Sequence, residues 1–153
     1  MAEVKHFVVD LRKASPLLHS IAKKMDSWSD DFKKDVTKEM IVGVNAIRSR
    51  IIQSVQKTKR ASWFYMRGGK KHYPSAPGHA PAMDTGEFVR SITMDTGPLQ
   101  VEVGADMGAP YAEHLEEGTK FMKARPWLHP AVEAETPRLI NNLIERINKE
   151  FHL

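Results

Sequence analysis

The most regular pattern of apolar and polar positions in the chain runs from residue 32 to residue 55. Apolar residues recur there at steps of three or four, and mostly polar residues fill the positions between them. The apolar set is Phe32, Val36, Met40, Val44, Ile47, Ile51 and Val55. Because this spacing places one side chain per turn on the same face of a helix, it predicts one amphipathic helix of about seven turns. Ser27 and Asp30 resemble a capping box at its start.

Shorter patterns predict strands and short helices around this element. Residues 4–11 alternate as in a strand, and Ser15-Pro16 is a favourable helix start. Alternating positions within residues 92–103 flank a Thr-Gly-Pro turn, which predicts a hairpin. Residues 85–90 and 111–117 suit short helices, and a glycine follows the second of them.

A final helix is expected to begin near Pro130. Its predicted apolar face consists of Val132, Leu139 or Ile140, Leu143, Ile147 and Phe151. Pro137 lies inside this pattern, so it should kink the helix or restart it with Thr136 as N-cap.

The order of these elements predicts an α+β fold. A small, mainly antiparallel sheet would be packed by the long amphipathic helix and the C-terminal helix. A length of 153 residues suits one domain spanning residues 1–153. Residues 57–83 show no period and are rich in glycine and proline, so we expect an extended basic loop or arm there, called the arm below.

The net charge of +4 is concentrated in one segment that includes the arm. No aspartate or glutamate occurs from Met40 to Met83, whereas eight basic residues do: Arg48, Arg50, Lys57, Lys59, Arg60, Arg67, Lys70 and Lys71. The rest of the chain holds 15 basic and 19 acidic residues, so the whole positive excess lies in this segment. Such a distribution is typical of a surface that faces a polyanion or an acidic partner.

Two interpretations of the arm stay open. Its cations Lys57, Lys59, Arg60, Arg67, Lys70 and Lys71 bracket the aromatic residues Trp63, Phe64 and Tyr65. Cations with interleaved aromatic rings can contact phosphates and stack bases. The same composition can instead order against a neighbouring subunit, with the aromatic rings as anchors. The two interpretations are compatible if an assembly surrounds DNA.

Motifs for catalysis or cofactor binding are not evident in the sequence. The absence of cysteine excludes disulfides and thiolate chemistry and fits synthesis in a reducing cytoplasm. No HExxH pair, GxSxG elbow or phosphate-loop spacing occurs. His114 with the nearby glutamates is the best candidate for a metal site, yet a solvated helix face explains these residues better. We therefore predict no catalytic, cofactor or metal site and no enzyme, and neither a signal peptide nor a membrane span.

Four short motifs occur in order in the second half of the chain. The first two run from Ala76-Pro77-Gly78-His79-Ala80-Pro81 to Asp84-Thr85-Gly86-Glu87-Phe88-Val89-Arg90-Ser91-Ile92. The others are Tyr111-Ala112-Glu113-His114-Leu115-Glu116-Glu117-Gly118-Thr119 and Ala124-Arg125-Pro126-Trp127-Leu128-His129-Pro130-Ala131. In these motifs and in the order of its elements, the chain resembles the tail-completion, or head–tail joining, family of tailed bacteriophages, typified by the gene-ten product of a lambdoid phage. It departs from the family's pattern in its longer, more basic arm and in Trp127, where phenylalanine is commoner.

The resemblance implies a structural virion protein of the neck or upper tail, made in the host bacterial cytoplasm, that forms a ring and joins head to tail. The implied partners are further copies of the chain, most naturally as a hexamer, together with a stopper or adaptor, a tail terminator or tail tube, and packaged DNA. The expected interface residues are Thr85, Gly86, Arg90, Tyr111, Glu116, Gly118, Thr119, Arg125, Pro126 and Trp127, with Trp63, Phe64 and Tyr65 of the arm. The cations of the arm would contact a neighbour or line a DNA channel. The alternative is a stand-alone nucleic-acid-binding protein that uses the arm.

Overall fold

The computed structural model describes residues 6–8, 16, 20, 23–24, 27–97 and 100–152, and it has an α+β fold, as predicted. The elements are β1 (His6–Val8), α1 (Asp30–Gln56), β2 (Tyr65–Arg67), β3 (Lys70–His72), α2 (Glu87–Arg90), β4 (Ile92–Gly97), β5 (Gln100–Ala105), α3 (Ala112–Glu117) and α4 (His129–Phe151). One antiparallel sheet has the strand order β1-β5-β4, and β2 and β3 form a second. No helix in the described ranges has both the length and the apolar character needed to cross a membrane.

The long amphipathic helix is confirmed as α1, and all seven residues of its predicted stripe are buried. Its N-cap is Ser29, whose hydroxyl accepts the Phe32 N–H at 3.2 Å. The predicted cap at Ser27 is therefore wrong. The Ser27 hydroxyl instead donates to the Lys24 carbonyl at 2.5 Å, within the turn that leads into the helix.

Helices α1 and α4 pack against each other with opposite directions. Phe32 in the first turn of α1 meets Phe151 at the end of α4, with ring centroids 5.4 Å apart. Near the middle, Gly43 lies against Leu139, and a Cβ atom added to Gly43 would be 3.0 Å from Leu139 Cγ and closer still to a methyl carbon. The glycine thus allows the two helices to approach closely.

Helix α4 is continuous from His129 to Phe151, so the predicted restart at Thr136 is wrong. Pro137 is exposed, and the carbonyl that loses its helical donor to the proline ring can bond to water on that side. The predicted apolar positions Val132, Leu139, Leu143 and Ile147 are buried, whereas Phe151 is partly exposed.

The predicted hairpin is confirmed as β4 and β5, with Ile92 paired to Ala105 and Gly97 to Gln100. Residues 98–99 of its turn lie outside the described residues. Val101 and Val103 of β5 are buried, and β5 packs on α1. On the other side, β1 pairs with β5 and accounts for the centre of the strand predicted at residues 4–11. Of the helix predicted after Ser15, the structure describes Pro16 and Ser20, which are helical, and Lys23 and Lys24, which form a turn.

The arm contains a β-hairpin where the glycine- and proline-rich sequence predicts an extended loop. Strands β2 and β3 are joined by Gly68 and Gly69, whose φ angles are 56° and 75°. Two successive residues with positive φ form the tight turn that matches the twist of a two-residue hairpin, and glycine adopts this conformation without strain. The arm is therefore folded at its tip and not an irregular loop.

Candidate functional site

The base of the arm is a continuation of its hairpin. The Ala61 N–H donates to the Pro74 carbonyl and the Ala76 N–H to the Lys59 carbonyl, both at 2.8 Å. The Arg60 guanidinium donates to the carbonyls of Tyr73 and Met83, each at 3.2 Å. Arg60, predicted as a contact of the arm with DNA or a neighbour, thus holds the two sides of the arm together.

One carboxylate anchors the hairpin to the body of the protein. Asp84 Oδ2 lies 3.3 Å from Arg67 Nη1 of β2, and Asp84 Oδ1 lies 2.6 Å from His72 Nδ1 of β3. The His72 ring also stacks on Tyr65, which is its cross-strand partner, at 5.6 Å between centroids. These contacts fix the inner face of the hairpin, which carries Tyr65, Arg67 and His72.

The outer face of the hairpin is apolar and exposed. Side chains alternate between the two faces of a strand, so Phe64 and Met66 lie opposite Tyr65 and Arg67. The Phe64 ring is 5.7 Å from that of Tyr73, and Lys71 Nζ lies 4.5 Å from the Phe64 centroid. Met66 and the adjacent Trp63 are 58% and 55% exposed. The set Phe64, Met66 and Tyr73 is called the outer face below.

The eight basic residues between Met40 and Met83, the acid-free segment, divide into those that contact other parts of the chain and those that have no acidic partner. Arg48 donates to the Ile92 carbonyl at 3.2 Å and Arg50 pairs with Glu135 at 2.5 Å, so both are engaged with the body. Arg60 and Arg67 hold the arm, and Lys71 covers Phe64, as described above. The remaining cations are exposed and have no acidic partner among the described residues: Lys57, Lys59 and Lys70.

The predicted interface residues at the start of α2 lie near the inner face of the hairpin. Gly86 has a φ of 80° and precedes α2, while the Thr85 hydroxyl accepts the Glu87 N–H at 3.3 Å. Arg90 is exposed. The Tyr111 ring is 6.3 Å from that of Phe88, and burial, followed by the carboxylate of Glu87, raises the pKa of the Tyr111 phenol above its ordinary value.

Glu116 of α3 binds the first backbone N–H groups of α4. Its Oε2 accepts from Trp127 at 2.7 Å and from Leu128 at 2.9 Å, and its Oε1 accepts from His129 at 2.9 Å. The N-terminal N–H groups of a helix lack intrahelical partners and carry partial positive charge. The carboxylate therefore caps α4 from a different helix, a role that no sequence motif reveals because the partners are backbone groups.

Trp127 lies in the core of its own chain, with 3% of its surface exposed. Its indole Nε1 donates to the Ala112 carbonyl at 3.0 Å, and its ring meets Phe88 edge to face at 5.1 Å. Pro126, which precedes it, is half-buried. Trp127 was predicted at the interface, but its ring is not part of the surface.

A tight turn connects α3 to this segment. Gly118 has a φ of 77°, and a Cβ atom there would lie 2.7 Å from both the Ala124 nitrogen and the Met122 oxygen. The Thr119 hydroxyl accepts the N–H groups of Phe121 and Met122 at 3.2 and 3.1 Å. Only glycine fits the first position, so the geometry of the turn explains the Gly-Thr motif without a ligand.

A groove of about 210 Å³ separates the inner face of the hairpin from these motifs. It brings together predicted site residues from distant parts of the sequence: Arg60, Tyr65, Arg67, Thr85, Tyr111 and Arg125. Gly86 also lines it. Lys57, Lys59, Trp63, Phe64, Lys70 and Lys71 lie outside it, as do Arg90, Glu116 and Thr119. His72, Ser75 and Asp84 line it and were not predicted as site residues. No three His, Asp or Glu side chains of the described ranges cluster as a metal ion would require.

Comparisons of the chain with protein-family models, with curated proteins and with solved structures found no match. The resemblance to the phage tail-completion family therefore rests on the four sequence motifs and the order of the elements.

Proposed function

We propose that this chain is a structural virion protein of the phage neck or upper tail, which assembles into a hexameric ring and joins the head to the tail. Its partners would be further copies of itself and the adjoining neck and tail proteins. The observation that carries the proposal is the exposed outer face of the arm. Neighbouring exposed apolar side chains of this kind mark interaction sites, and aromatic residues and methionine are enriched in interfaces.

The contacts that hold the hairpin in place support a role of the outer face as a protein interface. The Asp84 contacts with Arg67 and His72 and the Arg60 bonds fix the hairpin before a partner arrives. A preorganised surface loses less conformational entropy on binding and so binds more tightly. A fixed aromatic face is thus better suited to a permanent assembly than a flexible basic tail would be.

The motif residues supply a rigid frame for this surface. Glu116 and Gly118 form a cap and a turn, and Trp127 fills the core, so each has a structural role that needs no substrate. A closed ring needs two different surfaces that meet head to tail, and the outer face would supply one of them.

The test compares the mass of the assembly formed by the unaltered protein with that formed by a variant substituted in the outer face. Native mass spectrometry and light scattering should give a hexamer for the unaltered protein. Phe64→Ser combined with Met66→Ser should give monomers with a nearly unchanged melting temperature, because both side chains are exposed. Val42→Ser is the matched control, since Val42 is a 60% exposed apolar residue of α1, outside the arm.

Two outcomes would overturn the proposal. One is a protein that stays monomeric at every concentration and in the presence of neck and tail proteins. The other is a phage that lacks the protein yet still carries joined heads and tails.

A second candidate function is stand-alone binding of nucleic acid, and the exposed Lys57, Lys59 and Lys70 favour it. If these three lysines contact phosphates, log K should fall with log salt with a slope of about −3. Replacing all three with glutamine should then abolish binding, whereas Lys34→Gln on α1 should not. Arg60 and Arg67 are left intact because they hold the arm. Binding that is weak or independent of salt would favour the structural function.

A further inference from the structure

The turn after α3 presents a phenylalanine at its tip. Thr119 and Met122 pair with each other through two backbone hydrogen bonds of 2.7 and 3.2 Å, so Lys120 and Phe121 form the tip between them. The Phe121 side chain is 87% exposed, more than any other large apolar side chain of the described residues. Turns are usually built from glycine, proline, asparagine, aspartate or serine. The fold of the chain itself therefore does not explain a phenylalanine at this tip.

The backbone around this tip is fixed to the body of the protein on two sides. The Arg125 N–H donates to the Leu115 carbonyl of α3 at 2.7 Å, and the Gly78 N–H donates to the Ala124 carbonyl at 3.0 Å. These bonds hold the backbone and do not involve the Phe121 ring, which stays in solvent. A side chain presented on a fixed backbone loses little conformational entropy when a partner buries it. The turn thus has the properties of a preorganised anchor.

Two lysines determine the charge around the ring. Lys120 Nζ lies 4.8 Å from the Phe121 centroid, and Lys123 is exposed two residues further along the chain. Neither ammonium group pairs with a carboxylate among the described residues. Glu117, at the end of α3, is the nearest acidic residue in the sequence, so the two lysines outnumber it. A pocket that takes up the ring must also accept the Lys120 ammonium group at its rim, where a carboxylate is the favourable partner.

The charges of this chain's own grooves favour a different protein over a second copy as the partner. The groove beside the hairpin is lined by three arginines, and its one carboxylate, that of Asp84, is already bonded. A smaller notch between α1 and α4 also has one carboxylate, that of Glu135, which pairs with Arg50. Arg138 lines the same notch. Neither the groove nor the notch therefore offers the acidic rim that Lys120 requires.

We infer that the tip of this turn is a docking knob for another virion protein, with Phe121 entering an apolar pocket whose rim carries carboxylates. The inference rests on the proposed function and adds the chemistry of one contact with an adjoining neck or tail protein. Aromatic side chains are enriched in interfaces, and complementary charges around them set the register and the choice of partner. The knob consists of other residues than the outer face, so the two surfaces are tested separately.

Photocrosslinking in purified virions identifies the partner. The photoreactive analogue p-benzoylphenylalanine replaces Phe121, and mass spectrometry maps the peptides that it labels. Irradiation should give an adduct with a different virion protein, at a site with aspartate or glutamate nearby. The same analogue at Met107, which is 65% exposed in the loop before α3, is the matched control and should not give this adduct. An adduct confined to further copies of this chain, or no adduct at all, would overturn the inference.

Joining of heads to tails in vitro measures the strength of the contact. Heads and tails from a phage that lacks the protein are mixed with the purified chain at increasing concentration. Phe121→Ser should raise the concentration for half-maximal joining about tenfold or more, whereas Phe121→Leu, which keeps an apolar side chain, should raise it less. The oligomeric mass and melting temperature of Phe121→Ser should stay unchanged, because the side chain is exposed. Lys120→Glu combined with Lys123→Glu should also weaken joining about tenfold or more, and Met107→Ser should not.

The same assay separates failure of the knob from failure of the proposed function. If Phe121→Ser joins heads to tails as well as the unaltered protein does, the knob is wrong and the proposed function stands. If the unaltered protein joins no heads to tails, the proposed function is wrong and the knob falls with it.

Discussion

Removing the carboxylate of Glu116 should weaken the junction between α3 and α4. Three backbone N–H groups, those of Trp127, Leu128 and His129, donate to this one side chain at 2.7–2.9 Å. In Glu116→Ala all three lose their acceptor at the positive end of α4. In Glu116→Gln one amide oxygen remains as an acceptor, but the charge and the second oxygen are lost.

The size of the effect follows from these contacts. A hydrogen bond to a charged group contributes about 1.5–3 kcal/mol, yet the three bonds share one carboxylate and are not additive. Loss of a helix cap costs about 0.5–2 kcal/mol, and the interaction with the helix dipole adds about 0.3–1 kcal/mol. His129 is exposed, so water can replace its bond. We expect a loss of about 2–4 kcal/mol for Glu116→Ala and about half of that for Glu116→Gln.

Urea unfolding at neutral pH measures this difference directly. A chain of this size loses about 2–4 °C of melting temperature per kcal/mol, so Glu116→Ala should melt roughly 5–15 °C lower. Glu145→Ala is the control, because Glu145 is an exposed glutamate in the middle of α4. If Glu116→Ala and the control differ by less than about 0.5 kcal/mol, the carboxylate does not cap α4 and the reasoning is refuted.

Three further predictions concern the body of the protein. Gly43→Ala should destabilise the protein by about 1–2 kcal/mol in urea unfolding, because overlap of the new methyl group with Leu139 outweighs the gain in helix propensity. Leu139→Ala should then cost less stability in the Gly43→Ala protein than in the unaltered protein. Additive losses from the two substitutions would contradict this contact. Gly118→Ala should cost about 3 kcal/mol or more, and a normal melting temperature would rule out the close turn. A hydrogen bond from Lys38, aided by Arg146, lowers the pKa of Asp35 below 3.8, so the stability that this carboxylate adds is present above that pH and is lost as the pH falls through the lowered value. The melting temperatures of the unaltered protein and Asp35→Asn should therefore converge in strong acid, and a constant gap would contradict the shift.

The sequence predicts the helices of this fold better than it predicts the arm. The stripe of α1 is visible because each buried residue recurs at a local spacing set by the helix itself. The strands β2 and β3 are exposed on both faces, so they show no alternation of apolar and polar positions. Gly68-Gly69 was the available signal, since two glycines between short segments are typical of a two-residue hairpin. Ser27 and Ser29 both precede acidic residues, and only the path of the backbone decides which one caps.

The groove depends on contacts that no local pattern encodes. Asp84 meets Arg67 and His72 through the folding of the arm, and Ser75 and Arg125 line the same groove only because of the tertiary structure. The same holds for Gly43, which is unfavourable in an isolated helix. A glycine is needed at this position because the Leu139 side chain of α4 packs directly against it.

The close packing of α1 against α4 also has a consequence for synthesis of the protein. The apolar stripe of α1 is complete at Gln56, but α4, which covers it, ends only at Phe151. At ribosomal rates of about 5–20 residues per second, the roughly 95 residues between these points take on the order of 5–20 s to make. During that interval the side of the helix that later packs on α4 stays uncovered in the nascent chain, which makes it a natural target for chaperones that bind newly made polypeptides.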